Sequence, residues 1–208
     1  MQTIIDTNIQ QAALFLKAGE TVAIPTETVY GLAANAFDVN AVAKIFEAKN
    51  RPFFDPLIVH THALQEVYKL VEEIPKPLLD LAKKYWPGPL TLILPKKYII
   101  PDLVTSGLPN VGIRIPQQVE TIKLLQQLDF PLAAPSANPF GYVSPTSAQH
   151  VYDQLQGKIP YIMDGGECKV GLESTIVGMQ NGFVTIFRIG GLSIEEIEAI
   201  VGKVAVNI

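Results

Sequence analysis

Residues 22–60 read VAIPTETVYGLAANAFDVNAVAKIFEAKNRPFFDPLIVH and contain two short apolar strands with a helix between them. The strands span residues 22–24 and 57–59, and both have the apolar character of buried strands. The helix spans residues 40–48, and the proline that follows prevents it from continuing, because proline has no amide hydrogen to donate. This succession of elements is typical of an α/β fold.

Two cations, Lys49 and Arg51, directly follow this helix and lie between the ends of the two strands. They face a loop that carries the hydroxyl groups of Thr26 and Thr28. One interpretation is structural, since cations in the last turn of a helix interact with its dipole by roughly 0.3–1 kcal/mol each. The other is an anion-binding pocket in which both cations remain partly solvated. The stretch by itself leaves both interpretations open.

The composition describes a globular domain. Of 208 residues, 48% are hydrophobic and 17% are charged, which is enough for a substantial core, and the length predicts a single domain over residues 1–208. The net charge is −4, so a protein that coats nucleic acid is not expected, and any cationic site must be local.

The cysteine content and the hydropathy predict the cellular setting. Cys168 is the only cysteine, which excludes an internal disulfide and is typical of a reducing compartment. No run approaches the ~18 apolar residues of a membrane span, and the N-terminus lacks a signal-peptide pattern. We therefore expect a soluble, cytoplasmic protein without membrane association.

Helical and strand patterns alternate along the rest of the chain. Apolar residues at helical spacing predict helices over residues 62–72, 78–85 and 119–128. Capping residues predict helices over residues 147–155 and 194–201, and a first helix that Thr7 or Asn8 caps and that ends at Lys17, before Gly19. Strands are predicted over residues 90–94, 111–115, 132–134, 160–163, 174–178 and 183–188, with a loop over residues 95–110. Thr146 is the expected N-cap of its helix, and Ser193 with Glu196 forms a capping box for the last helix. Together these elements predict a single α/β domain with a twisted mixed sheet and flanking helices.

Several common site motifs are missing from the sequence. It has neither a Walker P-loop nor a G-x-G-x-x-G turn after a strand. His60 and His62 lack an acidic cluster, and His150 is the only other histidine, so no imidazole metal site is expected. Ser136 lacks the glycine-flanked turn of a hydrolase nucleophile, and Cys168 is expected to pack as a small apolar residue.

Polar residues nevertheless collect where the predicted strands end, which is where α/β proteins bind their ligands. In the strand 111–115, Arg114 alternates with apolar residues and therefore faces away from the main apolar side. The full set is Thr26, Thr28, Lys49, Arg51, His60, Arg114, Ser136, Asn138, Ser144, Thr146, Ser174, Thr175 and Arg188. Each member has an ordinary explanation as a cap, a turn or a solvated face. As a set, they favour a site for a small ligand with several negative charges.

Five stretches of the chain resemble the YrdC family, in the right order and over nearly the whole length. They are residues 25–32, residues 49–52 with 56–60, residues 86–94, residues 135–138 with 141–146, and residues 171–177. The length resembles that of the single-domain members, so we expect no additional C-terminal domain of the kind that longer members carry. The resemblance implies a YrdC-like sheet and helices around a polar cavity.

The family contains L-threonylcarbamoyladenylate synthases, so the resemblance implies a nucleotidyltransferase. Its reaction converts L-threonine, bicarbonate or CO2, and ATP into threonylcarbamoyl-AMP and pyrophosphate, with Mg²⁺ accompanying ATP. The product is implied to pass to a separate transferase that forms N6-threonylcarbamoyladenosine in tRNA. Direct binding of tRNA by this chain is expected to be weak or absent.

The resemblance also assigns residues to the site. The family's Lys-x-Arg and Ser-x-Asn tetrad, taken as catalytic, corresponds to Lys49, Arg51, Ser136 and Asn138. The implied threonine contacts are Thr28, His60, Arg114, Ser136 and Ser174. The implied nucleotide contacts are Lys49, Arg51, Asp55, Asn110, Asn138, Ser144, Thr146 and Arg188. Asn110 and Asp55 depart from the residues common at their positions, which affects how the nucleotide would be held.

Two other functions remain open from the sequence. Related domains form a carbamoyl adenylate in hydrogenase-maturation proteins, although those chains are much longer and carry additional modules. A double-stranded RNA-binding module is the second, since a cationic pocket can bind the RNA backbone. The acidic balance of the chain and the lack of a basic stripe count against it.

Overall fold

The computed structural model describes residues 2–208, and within this range eleven strands form one sheet. In chain order the strands are β1 (Ile4–Asp6), β2 (Val22–Ile24), β3 (Gly31–Asn35), β4 (Ile58–His60), β5 (Leu90–Pro95), β6 (Asn110–Arg114), β7 (Leu132–Ala133), β8 (Tyr161–Met163), β9 (Thr175–Gln180), β10 (Phe183–Arg188) and β11 (Ala205–Val206). Across the sheet their order is β1-β8-β2-β3-β7-β4-β6-β5-β9-β10-β11. Neighbours in the sheet are thus often distant in the chain.

Helices cover both faces of this sheet. They are α1 (Ile9–Lys17), α2 (Val39–Lys49), α3 (Leu64–Leu70), α4 (Lys76–Tyr85), α5 (Asp102–Thr105), α6 (Val119–Leu125), α7 (Ala148–Leu155) and α8 (Ile194–Val201). None of the helices in the part of the chain that the structure describes has the length and apolar content needed to cross a membrane.

The strands pair in both directions. β4 pairs with β6 and β5 with β9 in parallel, whereas β2 pairs with β3 and β5 with β6 in antiparallel registers. The sheet is therefore mixed, and the predicted α/β domain with flanking helices is confirmed. The register also places His60 beside Arg114, because the last residues of β4 and β6 are paired.

Alternation along β3 explains how the core divides into two apolar clusters. Leu32 and Ala34 belong to the larger cluster, which includes buried side chains of α2, α4, α7 and α8. Ala33 faces the opposite side and belongs to the smaller cluster, with buried side chains of α1 and α6. Successive residues of a strand point to opposite faces, so both faces of the sheet centre are buried.

The helix ends test the capping predictions. Ser193 and Glu196 form the expected capping box, in which each side chain bonds the backbone of the other. The predicted cap of α7 was wrong by one residue, since Ser147 accepts from the amide of His150 at 3.2 Å. Thr146 instead lies 3.3 Å from the His150 ring through its hydroxyl.

Some elements were not predicted. The segment 95–110, expected to be a loop, contains the four-residue helix α5 and the first residue of β6. Strand β3 reads GLAAN, which has little intrinsic strand propensity, and burial between β2 and β7 compensates for this. The short strands β1 and β11 lie at the two edges of the sheet and carry exposed residues.

Candidate active site

A cavity of about 740 Å³ opens where several strands end. Its size is within the range of small-molecule sites, about 300–1,000 Å³. The residues assigned to the site by resemblance line this cavity, with Thr146 as the exception: Thr28, Lys49, Arg51, Asp55, His60, Asn110, Arg114, Ser136, Asn138, Ser144, Ser174 and Arg188. Residues distant in the sequence are therefore brought into a single pocket.

Lys49 is the last residue of α2, and its side chain is buried rather than partly solvated as we expected. Its ammonium group donates to the carbonyl oxygen of Ser136 at 2.5 Å and to that of Asn138. Burial, followed by the nearby charge of Arg51, lowers the pKa of Lys49 to about 7. Lys49 thus anchors the Ser136–Asn138 turn, and its pKa depends on the charges in the cavity.

Arg51 follows Asn50, whose left-handed backbone (φ 51°) ends α2. Its guanidinium pairs with the Asp55 carboxylate at 2.9 Å and donates to the carbonyl oxygens of Asp55 and Pro56. Burial is the main cause that lowers the pKa of Arg51, and Asp55 opposes this shift. Arg51 therefore holds the loop that precedes β4 while it lines the cavity.

The amide of Asn138 has a fixed orientation. Its nitrogen donates to the carbonyl oxygens of Pro139 at 3.0 Å and Tyr142 at 2.7 Å, so both amide hydrogens are used. The amide oxygen is buried and has no hydrogen-bond partner within residues 2–208. It is therefore an acceptor suited to a ligand that carries a hydrogen-bond donor.

Arg114, at the end of β6, forms a buried ion pair on another wall of the cavity. Its guanidinium binds Glu27 at 2.7 Å, Thr28 at 2.9 Å and the carbonyl oxygen of Gly88 at 3.2 Å. The second oxygen of Glu27 accepts from the amide of Gln117 at 2.9 Å. Three of the five N–H groups of Arg114 are bonded in this way within the described chain, which leaves two for a carboxylate ligand.

The hydroxyl groups of Thr28 and Thr26, beside Arg114, form a chain of hydrogen bonds that all donate in one direction. Thr26 donates its single hydroxyl hydrogen to the carbonyl oxygen of Val29 at 2.7 Å. In the 2.8 Å contact between Thr26 and Thr28, Thr28 is therefore the donor. Thr28 also accepts from Arg114, so its remaining lone pair is available to a donor on the ligand.

His60 is buried and lines the cavity beside Arg114. Burial, followed by the charge of Arg114, lowers the pKa of His60 to about 3, so the imidazole is neutral at pH 7. Its Nδ1 atom has no hydrogen-bond partner among the residues that the structure describes. The ring thus offers polar contacts without adding a positive charge.

A second ion pair lies near the ends of β9 and β10. Arg188 binds Glu173 and donates to the hydroxyl and carbonyl oxygens of Ser174, each at 3.0 Å. Ser144 donates to the other oxygen of Glu173 at 2.9 Å, and Thr91 lies 2.7 Å from the Ser174 hydroxyl. Burial lowers the pKa of Arg188, and Glu173 opposes this shift.

Sequence reasoning missed the two carboxylates that hold these arginines, Glu27 and Glu173. Each is adjacent to residues that were identified, Thr28 and Ser174 respectively. That adjacency was an available signal, because an acidic residue beside a cationic ligand site is suited to pair with the cations. Asn110, which was identified, lies at the start of β6 and is exposed in the cavity wall.

The acidic residues do not form a metal site of their own. Among residues 2–208, no group of three or more His, Cys, Asp or Glu side chains is close enough to hold a metal ion. Glu27, Asp55 and Glu173 are each paired with an arginine. These residues therefore do not fit a metal held by the protein alone. Cys168 packs against the larger core cluster, and burial raises its pKa to about 11.

The chain is similar to several known proteins over nearly its whole length. A Sua5/YciO/YrdC family model, described as "Telomere recombination", matches residues 14–190. Proteins named threonylcarbamoyl-AMP synthase from Pyrococcus abyssi and Bacillus subtilis are 47% and 45% identical over 99% and 97% of this chain. The crystal structure of P. abyssi Sua5 complexed with L-threonine superposes with a TM-score of 0.94 at 45% identity, over 99% of this chain.

Each of these relatives is longer than the chain. The matched part is 61% of the P. abyssi synthase, 59% of the B. subtilis synthase and 62% of the chain in the crystal structure. The chain therefore spans about three-fifths of their length. The family model itself covers most of residues 2–208 and includes the strands and loops that line the cavity. The chain belongs to the Sua5/YciO/YrdC family.

Proposed function

We propose that this chain synthesises L-threonylcarbamoyladenylate and pyrophosphate from L-threonine, bicarbonate or CO2, and ATP. The observation that carries the proposal is the cavity, which brings together four cationic side chains, Lys49, Arg51, Arg114 and Arg188. Neutral donors and acceptors lie between them, as a site for several anionic groups requires. The names of the relatives at 47% and 45% identity support the same activity.

Threonine occupies the part of the cavity around Arg114. The two remaining N–H groups of Arg114 bind its carboxylate, while Thr28 accepts from a donor of the amino acid. His60 and Ser174 line the same region and are neutral. The P. abyssi Sua5 structure is a complex with L-threonine, which supports threonine as a substrate of this chain.

ATP occupies the part of the cavity around Lys49, Arg51 and Arg188. Its phosphates interact with these cations, and Asn138 offers its buried acceptor to a donor on the substrates. Three further residues of the cavity wall complete the proposed nucleotide contacts: Asp55, Asn110 and Ser144. Thr146 contacts α7 through His150 and lies outside the cavity wall, so we do not retain it as a direct contact.

The chemistry requires positioning and charge neutralisation. The neutral amine of threonine adds to CO2 and releases one proton to solvent, which gives a carbamate. The carbamate is already anionic, so its attack on phosphorus needs no general base. One carbamate oxygen attacks the α-phosphorus of ATP, the bond from this phosphorus to the bridging oxygen breaks, and pyrophosphate leaves. The cavity cations stabilise the approach of these anions, and the bound substrates, by filling the cavity, limit hydrolysis of the carbamate and the mixed anhydride.

Mg²⁺ enters as part of the substrate, bound to the phosphates of ATP. The three carboxylates around the cavity, Glu27, Asp55 and Glu173, are already paired with arginines, so they are not available to hold Mg²⁺ before the nucleotide binds. This supports MgATP as the form that binds.

The product passes to a separate tRNA transferase, and this chain does not modify RNA itself. With 16 Lys and Arg against 20 Asp and Glu, and four of these cations in the cavity, the rest of the chain has no excess of positive charge to contact RNA phosphates. The nucleotidyltransferase reaction therefore runs without RNA. A carbamoyl-adenylate synthase and an RNA-binding module are the alternatives that the assay must separate.

The test is mass identification of the product formed from threonine, bicarbonate and ATP by the purified chain. We expect threonylcarbamoyl-AMP, with pyrophosphate released in a threonine- and bicarbonate-dependent way and no RNA present. Carbamoyl-AMP formed from carbamoyl phosphate, or salt-sensitive binding of double-stranded RNA without adenylate synthesis, would replace the proposal by the corresponding alternative.

A further inference from the structure

The carboxylate of Glu173 lies where the cations of the proposed nucleotide site converge. It pairs with Arg188 and accepts from the hydroxyl of Ser144 at 2.9 Å. Its charge also acts on Lys49 and Arg51, since it raises the pKa of both against the effect of burial. A single carboxylate is thus within electrostatic reach of three cations of the cavity.

We propose that Glu173 is an internal anion that ATP must displace from Arg188 and Ser144. The proposal rests on the function proposed above, because it concerns how the same site admits its nucleotide. Its side chain is one-third exposed, so it has room to move, whereas Glu27 is almost fully buried against Arg114. The two carboxylates therefore differ in role. Glu27 stays bound to Arg114, whereas Glu173 leaves Arg188 when the phosphates of ATP take its place.

The exchange gives the site selectivity for the charge of the ligand. A monovalent anion such as chloride cannot replace a carboxylate that has an ion pair and a hydroxyl bond already in place. A triphosphate carries several charges and can bind Arg188, Arg51 and Lys49 together, which compensates for loss of the internal pair. Glu173 thus keeps Arg188 and Ser144 free of small anions until the nucleotide arrives.

The test is the affinity of the full chain for inorganic tripolyphosphate, measured by calorimetry in the presence of a chelator. We expect Glu173→Gln to bind about three- to fivefold more tightly than the wild type, the size expected for removing one partly exposed charge. Glu173→Asp, which keeps the charge and shortens the side chain, is expected to give a smaller gain. If neither variant binds more tightly, the proposal is overturned.

Glu73→Gln is the matched control for net charge. Glu73 is exposed in the turn between α3 and α4 and lies outside the cavity wall, so its loss should leave tripolyphosphate affinity unchanged. An equal gain in Glu73→Gln would attribute the effect to net charge and contradict the role of Glu173. Thermal unfolding of each variant identifies any loss of structure.

A second measurement separates displacement from metal binding. If Glu173 held Mg²⁺ with the nucleotide, Glu173→Gln would need about tenfold more Mg²⁺ for half-maximal binding of ATP, and this result would overturn the exchange. We expect the Mg²⁺ requirement to stay unchanged. Neither binding measurement depends on the reaction, so a failure of the exchange and a failure of threonylcarbamoyl-AMP synthesis are seen independently.

Discussion

The substitution Glu27→Gln tests whether the buried ion pair stabilises the fold and positions Arg114. Both carboxylate oxygens of Glu27 are acceptors, one for Arg114 at 2.7 Å and the other for the amide of Gln117 at 2.9 Å. A glutamine has only one acceptor oxygen, so its NH₂ group must face one of these two donors. The variant therefore loses the negative charge and at least one hydrogen bond.

The expected loss in the free energy of unfolding is about 3 kcal/mol. The side chains of Arg114 and Glu27 are only 5% and 8% exposed, and removing one partner of such a buried pair costs roughly 3–5 kcal/mol. The retained hydrogen bond places the expected value at the lower end. For a domain of this length, about 2–4 °C per kcal/mol predicts a fall in Tm of roughly 6–12 °C.

The assay is thermal and urea unfolding of Glu27→Gln beside Asp80→Asn. Asp80 forms an exposed i,i+4 pair with Lys76, whose side chain is 84% exposed, so its loss is expected to cost only about 0.3–0.5 kcal/mol. A decrease in Tm no larger than that of Asp80→Asn would refute the reasoning. We also expect Glu27→Gln to raise KM for threonine more than it changes kcat, because a loosened Arg114 binds the carboxylate less well.

The remaining predictions concern the cations and the amino acid. Arg51→Ala should lower kcat/KM about a hundredfold, near 3 kcal/mol, with unchanged circular dichroism; wild-type turnover would contradict its assignment. Lys49→Ala should lower kcat/KM by a similar factor. It should also lower Tm, because Lys49 is buried and anchors the Ser136–Asn138 turn. At pH 8, where a Lys49 pKa of about 7 leaves its amine mostly neutral, binding of ATP should take up to about one proton, since a bound anion raises that pKa. Calorimetry in buffers of different ionisation enthalpy measures this uptake, which Lys49→Met should abolish. Serine should be a weaker substrate than threonine and valine a very poor one, by up to roughly 10⁴-fold, and equal activity with valine would exclude a specific hydroxyl contact.

Local sequence patterns were sufficient for most helices and for the side of β6 that carries Arg114. The alternation in β6 correctly separated Arg114 from the apolar side, because strand periodicity is a local property. The burial of Lys49 could not be predicted in this way. Its surroundings are carbonyl oxygens of Ser136 and Asn138, which approach only through the tertiary fold.

Strand order and the paired carboxylates were beyond prediction for the same reason. β3 contains glycine and alanine in place of strongly strand-forming residues, and its identity depends on neighbours that are distant in the chain. Glu27 and Glu173 were not recognised, since the partner of Glu27 lies on β6 and that of Glu173 on β10. A charged residue in a loop is usually solvated, and only the fold shows that these two are paired.

The sequence separations within the cavity wall have a consequence for synthesis of the chain on the ribosome. Lys49 and Ser136 are 87 residues apart, as are Glu27 and Arg114, and Thr91 and Ser174 are 83 apart. Non-local pairings of this kind form slowly, and strand β5 remains an open edge until β9 has been synthesised. A nascent chain that ends before β9 therefore has no complete cavity and exposes β5 to intermolecular pairing, so its ligands cannot stabilise it at that stage.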